Sequence, residues 1–203
     1  MMFDVQYKKC FVCALHPVWQ SGIMFGPAFT CKGQKILQPT DFNDTKRITM
    51  LDAFTEGCIQ VLESDNEQSV ALYGNISGLL ARKFGAVGAV IDGPIRDATL
   101  LEEDKFPVFC KSVHPVSALY KWQITEWQTP IRLNGIQGSV MVNPNDYIFG
   151  DSDGVIVIPA NLVDVVCDYA EERAKKEKGI YKEIARASTT DDILKIKDEV
   201  IIW

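Results

Sequence analysis

The stretch Val70-Ala-Leu-Tyr-Gly-Asn-Ile-Ser-Gly-Leu-Leu-Ala-Arg-Lys-Phe-Gly-Ala-Val-Gly-Ala-Val-Ile-Asp-Gly-Pro-Ile-Arg-Asp97 reads as strand, helix, strand. Val70 to Tyr73 is short and apolar. After Gly74, residues Ile76, Leu79, Leu80 and Phe84 recur at helical spacing, which predicts one apolar helix face. Gly85 and Gly88 bracket the helix exit. Ala86 to Asp92 reads as a buried strand, stopped by Gly93-Pro94. Arg96 and Asp97 lie just beyond it, and ligand sites of α/β folds gather outside the carboxyl ends of strands.

The alternation continues in both directions. Upstream, Cys10 to Leu15 and Gly22 to Cys31 read as strands, the second interrupted by Gly26-Pro27. Gln38 to Asn43 reads as a loop. Thr45 to Phe54 is a predicted helix carrying Ile48, Leu51 and Phe54, and Gly57 separates it from a strand at Cys58 to Leu62. Downstream, Pro107 to Cys110, Ile131 to Leu133, Ser139 to Val142, Tyr147 to Phe149 and Val155 to Ile158 are short strands. Their turns include Asn143-Pro-Asn-Asp146 and Asp151-Ser-Asp-Gly154. A helix is predicted from Asn161 to Lys178 with Leu162, Val165, Val166, Tyr169 and Ala170 on its apolar face, and a second from Thr190. The apolar end Val200-Ile-Ile-Trp203 is expected to pack on its own domain or on a neighbouring subunit. The expectation is one α/β domain over residues 1–203, closed by a helical segment from 161 to 203.

Composition narrows the functional classes. With 47% hydrophobic and 24% charged residues the 203-residue chain has an ordinary globular balance, which argues against disorder. A net charge of -6 without a basic stripe argues against nucleic acid and anionic membrane surfaces as partners. No apolar run approaches the roughly 20 residues that span a bilayer. Met1 to Lys9 lacks a signal pattern, so a soluble, cytoplasmic protein is expected. Among six cysteines, Cys10-Phe-Val-Cys13 with His16 has the outline of a metal or redox pair. No second pair completes a zinc site, and two cysteines in a buried strand is the plainer reading. Walker A, G-x-G-x-x-G and G-x-S-x-G motifs are absent. His114, before Pro115, reads as structural or solvent-facing.

The best candidate site spans Gly74 to Asp97. If Gly74-Asn-Ile-Ser77 opens a helix, its free backbone N–H groups make an anion pocket. Arg96 offers a planar fork for a carboxylate or a developing enolate. Asp97 offers a ligand to a hard divalent cation. Together these suit a small α-keto acid; a solvated Arg-Asp turn is the other reading of the pair.

Five segments then align in order: Gly26-Pro-Ala-Phe-Thr30, Tyr73-Gly74, Gly88-Ala-Val-Ile-Asp-Gly-Pro-Ile-Arg-Asp97, Phe106-Pro-Val-Phe109 and Gly150-Asp-Ser-Asp-Gly-Val-Ile-Val-Ile-Pro159. In this they resemble the family that contains the regulator of ribonuclease E activity A and the 4-hydroxy-4-methyl-2-oxoglutarate aldolases. The resemblance implies a swivelling β/β/α domain of the phosphohistidine-domain type, assembled as trimers or as hexamers of two trimers. It implies a class II pyruvate aldolase with oxaloacetate decarboxylase activity. The backbone of Gly74, Asn75, Ile76 and Ser77 would bind the pyruvyl carboxylate. Arg96 would stabilise the enolate, and Asp97 would hold Mg²⁺ or Mn²⁺. Glu172 or Glu177 would be lent by a neighbouring subunit, and Lys121 resembles a family lysine. The chain departs from the family pattern at Asn75, where the aldolases carry an acid, at Leu100, where an acid is common although Glu102 and Glu103 follow, and at the Pro144-Asn-Asp146 turn. The stretch before Gly26-Pro-Ala-Phe-Thr30 is also short, so the helix that usually precedes this strand is expected to be missing or altered. The alternative is a non-catalytic trimeric regulator that binds a protein such as a ribonuclease.

Overall fold

The computed structural model describes residues 11–12, 15–19, 22–43, 45–135 and 138–200; Cys10, Cys13 and tail residues 201–203 lie outside them. The chain divides into two compact units, Met1–Ala160 and Asn161–Trp203. The first holds strands β1 (Phe11–Val12), β2 (His16–Pro17), β3 (Met24–Lys35), β4 (Ile59–Glu63), β5 (Gly88–Ile95) and β6 (Val108–Val113). It continues with β7 (Trp122–Trp127), β8 (Ile131–Gly135), β9 (Gly138–Val142), β10 (Tyr147–Asp151) and β11 (Gly154–Ile158). Its helices are α1 (Thr45–Thr49), α2 (Asn75–Lys83) and α3 (Ala98–Glu103). The second unit is α4 (Val163–Arg186) and α5 (Thr190–Val200).

One mixed sheet dominates, in the order β1-β11-β10-β3-β4-β5-β6-β2, with β7 added against β3. Strands β3, β4, β5 and β6 run parallel, and their neighbours are antiparallel. Period-2 alternation sends side chains to two cores. Phe29, Cys31, Leu62, Ala89 and Ile91 meet Ala81 of α2 and Leu101 of α3. Ala28, Val61, Val90 and Phe109 meet Ile131, Leu133, Val140 and Val142 of the β8–β9 hairpin. The result is a β/β/α arrangement with a nearly closed, barrel-like sheet, as the resemblance implied. All eight residues of β5 are buried, which is why it reads as a continuous apolar run.

The structure corrects several sequence expectations. Gly26-Pro27 does not interrupt β3, because there the strand passes from β10, paired to Met24–Pro27, to β4, paired from Ala28. Gly93-Pro94 does not stop β5, which absorbs an extra residue as a bulge and continues to Ile95. The expected helix Thr45 to Phe54 is α1 followed by a 3-10 turn, Met50–Ala53, that buries Met50 and Leu51 while Ile48 stays exposed. Of the expected apolar face of α2 only Leu80 packs on the core: Ile76 is 68% and Leu79 47% exposed, Phe84 is also exposed, and the buried residues are Gly78 and Ala81. The helix sits so close to its neighbours that a Cβ at Gly78 would lie 2.8 Å from Leu101 Cδ2. Only small residues fit that contact. Helix α4 runs on to Arg186, none of its residues is buried, and Val165 and Tyr169 are exposed.

The loop between β4 and α2 is pinned by Glu67. Its Oε1 accepts the Ser69 N–H and hydroxyl, both at 2.6 Å, and Lys35 Nζ is 3.4 Å from Oε2. Burial pushes this carboxyl up, but the Ser69 bonds and Lys35 outweigh it and hold the group below its ordinary value. Its stabilising contribution is therefore present at neutral pH and lost as acid protonates the folded form below the usual glutamate range. Glu67→Gln is expected to cost about 1–3 kcal/mol near neutrality and much less near pH 3. Urea unfolding of both proteins at the two pH values checks this; an equal loss at both would refute it.

Candidate active site

Three segments meet at the carboxyl ends of the parallel strands. The Ala71–Tyr73 segment lies beside β5, with the Leu72 N–H bonded to Pro94 O and the Arg96 N–H to Tyr73 O, each at 2.9 Å. On the other side of β5 the His114 N–H reaches Ile95 O at 2.8 Å. Gly74, Arg96 and Asp97 therefore emerge side by side.

Asp97 is the unusual residue. It has left-handed backbone angles (φ 59°, ψ 35°), which cost a non-glycine residue of order 1 kcal/mol. It stands at the N-cap of α3, where an aspartate ordinarily caps its own helix. Its carboxylate makes no such cap. Instead Oδ2 accepts the Asn75 N–H at 3.2 Å, at the N-terminus of α2, and Arg96 Nε lies 3.6 Å from the same oxygen. The first-turn N–H groups of a helix lack intrahelical acceptors and favour negative charge. Gly74 is the N-cap of α2, with no side chain of its own to occupy that place. Its extended backbone (φ -160°) suits any residue, so glycine is needed for space: a Cβ would lie 2.7 Å from Asp97 Oδ2 and 3.0 Å from Arg96 Cγ.

The sequence-chosen residues divide accordingly. Gly74, Asn75, Arg96 and Asp97 come together. Ile76 belongs to the same first turn, but its side chain faces outward. Ser77 lines a cavity of about 30 Å³ beneath the helix, beside Tyr73, Gln60 and Arg47. Lys121 lies in the turn before β7, its N–H bonded to Ala118 O. Leu100 is half exposed on α3. Glu172 is on α4, where Lys176 Nζ at 2.6 Å holds its carboxyl below the ordinary value; Glu177 is one turn further on. His114, read as structural or solvent-facing, lies next to Arg96 across the strand ends, and its Nδ1 accepts the Val116 N–H at 3.2 Å. Its sequence signal, one histidine after an apolar strand, does not distinguish that position.

Thiol chemistry has little support among the described residues. Burial pushes Cys31 up to about 12 and Cys110 up to about 11, so both stay protonated near neutrality. The described residues also contain no group of three or more His, Cys, Asp or Glu arranged to hold a metal. The candidate site does offer hard oxygen donors. Asn75, whose backbone N–H reaches the Asp97 carboxylate, also has a buried side-chain oxygen, Oδ1, without a hydrogen-bond partner. One carboxylate with a neutral oxygen and waters fits Mg²⁺ or Mn²⁺, ions that keep several waters.

The profile of the RraA-like family, described as Aldolase/RraA, matches residues 2–157. The chain belongs to the RraA-like family. Its relatives include a "Putative 4-hydroxy-4-methyl-2-oxoglutarate aldolase" of Cupriavidus necator, 32% identical over 70% of this chain and 79% of that protein. An uncharacterized protein of Methanocaldococcus jannaschii is 29% identical over 86% of this chain and 79% of its own. Among solved structures, RraAS2 of Streptomyces coelicolor, described as an unusual member of the RNase ES inhibitor RraA protein family, superposes with a TM-score of 0.72. That match covers 91% of this chain and 87% of RraAS2 at 20% identity, and it shows the shared fold. No helix among the described residues is long and apolar enough to cross a membrane.

Proposed function

We propose that this RraA-like protein is a divalent-metal-dependent, cytoplasmic pyruvate aldolase that cleaves 4-hydroxy-4-methyl-2-oxoglutarate-like substrates and decarboxylates oxaloacetate. The observation that carries this reading is Asp97, held left-handed and turned from its own helix to the N-terminus of α2, with Arg96 beside it. With the Asn75 N–H held by Asp97, the first-turn N–H groups of Ile76 and Ser77 bind the substrate carboxylate. Arg96 brings a fixed positive charge to the enolate oxygen as the carbon–carbon bond breaks and its electron pair moves onto the keto group. Asp97, with Asn75 Oδ1, holds Mg²⁺ or Mn²⁺. When bound, such an ion supplies Lewis-acid polarisation of the keto oxygen. In the aldol substrate the 4-hydroxyl gives its proton to water and becomes the carbonyl of the second product, whereas oxaloacetate loses CO₂; in both cases the enolate then takes a proton from water and leaves as pyruvate. The protein acts as a trimer or a hexamer of two trimers, in which Glu172 or Glu177 of one protomer serves a neighbour's site.

A regulatory reading also has specific support. The resemblance implies an aldolase acid at Asn75 and a common acid at Leu100, neither of which this chain has, and RraAS2 is described as belonging to an inhibitor family. On that reading the protein is a non-catalytic trimer docking on a protein such as a ribonuclease.

The test is pyruvate release from 4-hydroxy-4-methyl-2-oxoglutarate and from oxaloacetate, with Mn²⁺ or with EDTA. Asp97→Ala protein supplies the background of spontaneous oxaloacetate decay. Release that exceeds this background and vanishes with EDTA is the expected result. No release from either substrate would overturn the aldolase reading and favour the regulator.

A further inference from the structure

The bulge in β5 lies between the core of the strand and the candidate site. Ile91 pairs with Cys110, but Pro94 pairs with Ser112, so Asp92 and Gly93 together oppose Lys111. A bulge leaves its extra residue outside the ladder. Here three side chains from three segments take up its polar groups. The Asp92 carbonyl accepts the Ser64 hydroxyl at 2.6 Å. Its carboxylate Oδ1 lies 2.7 Å from Lys111 Nζ, and Oδ2 accepts Asn134 Nδ2 at 3.2 Å. The ion pair is largely out of water, with the Asp92 side chain 4% and the Lys111 side chain 16% exposed. Gly93 leaves no room for a side chain, since a Cβ would lie 2.8 Å from Leu72 Cδ1.

A buried ion pair is weak evidence for stability, because apolar residues of the same volume often serve as well. Its better-attested use is to fix one register among alternatives. The register at stake is that of the catalytic segment. Beyond the bulge, Ile95 pairs with Val113 and with Tyr73, and the next two residues are Arg96 and Asp97. Without the extra residue, this segment would move one position, about 3.3 Å, along β6 and present the opposite face.

We propose that Asp92 and Lys111, with Asn134 and Ser64, are positioning residues: their cluster holds the β5 bulge that aims Arg96 and Asp97 at the N-terminus of α2. The inference rests on the aldolase reading for its catalytic consequence, but its structural half stands apart from that reading. Burial pushes the Asp92 carboxyl up and Lys111 opposes this, so loss of Lys111 breaks the tie to β6 and leaves a buried carboxyl without its cation.

The experiment uses full-length Lys111→Met, Lys111→Arg and Asp92→Asn proteins with two readouts. The first is the steady-state rate of oxaloacetate decarboxylation with Mn²⁺. The second is hydrogen exchange of the His114 amide, whose bond to Ile95 O belongs to the bulged register. Lys111→Met and Asp92→Asn are expected to lower kcat about 10–100-fold, the range for residues that orient metal ligands, and to lose His114 protection. Lys111→Arg is expected to restore both. Wild-type kcat in Lys111→Met would overturn the proposal. So would lost activity with His114 still protected, since the pair would then act otherwise than by register. Should Lys111→Met fail to fold, the isosteric Asp92→Asn decides alone. An inactive wild type would remove the aldolase reading, and the exchange data would still decide whether the cluster holds the bulge.

Discussion

Asp97→Ala protein is expected to lose metal-dependent pyruvate release by about a thousandfold or more while remaining folded. The charge to be removed sits at one junction, bonded to the Asn75 N–H and 3.6 Å from Arg96 Nε. No strand pairing passes through its side chain. Alanine at a left-handed position adds strain of order 1 kcal/mol, which a domain of this size withstands. Asp97→Asn separates that strain from the lost charge. Asparagine tolerates left-handed angles, and its amide oxygen can still accept the Asn75 N–H, but it brings no negative charge to a cation. Both variants are therefore expected to bind Mn²⁺ about a hundredfold or more weakly by electron paramagnetic resonance, with Asp97→Asn keeping the wild-type Tm. If Asp97→Asn retained Mn²⁺ affinity and turnover, the assignment of Asp97 to the cation would fail.

The second large effect is expected from Gly74→Ala, a substitution of one methyl group. The Gly74 backbone is extended, so alanine meets no backbone penalty. The methyl group would instead stand 2.7 Å from Asp97 Oδ2 and 3.0–3.2 Å from Arg96 Cγ and Nε. These are side-chain atoms, so they can move aside and the fold survives, at a cost of up to about 1 kcal/mol for an N-cap change. The chemistry does not survive so easily, because both groups leave the helix N-terminus together. Misplacement by about 1 Å can cost a hundredfold in rate. Gly74→Ala is thus expected to lower kcat/KM for oxaloacetate about a hundredfold, with a Tm shift of a few degrees at most. A variant with unchanged kcat/KM would mean that the substrate carboxylate binds elsewhere.

How much of this was legible in the sequence depends on the kind of signal. Strands β8 to β11 were placed by short apolar runs separated by Gly, Asn, Pro and Asp, and the two-residue hairpin turn at Ser152-Asp153 follows from Asp151-Ser-Asp-Gly154. Helix α2 is legible too, but its packing face only in part. Periodicity marks Ile76, Leu79, Leu80 and Phe84 as the inner face, and of these Leu80 packs on the core. Close approach to Leu101 and Phe106 selects Gly78 and Ala81 instead, and small residues carry no hydropathy signal. Gly93-Pro94 reads as a stop because the bulge that accommodates it depends on Lys111, Asn134 and Ser64, all distant in sequence. Helix α3 and strand β7, six residues each, are too short for a period to stand out. At the site, the pairing of Arg96-Asp97 with Gly74-Asn75 was expected. That Asp97 would leave its own helix uncapped was not, because sequence spacing does not report a left-handed residue.

The order of the strands has a consequence for how the protein is made. Strand β1, at Phe11–Val12, pairs with β11, at Val155 and Ile156. Strand β3 needs β4 and β7, and it needs β10 near the end of the unit. Pairings of such long sequence separation form slowly and leave strand edges open in the meantime. During synthesis, β1 and the edge of β3 that takes β10 therefore stay unpaired until β10 and β11 have emerged.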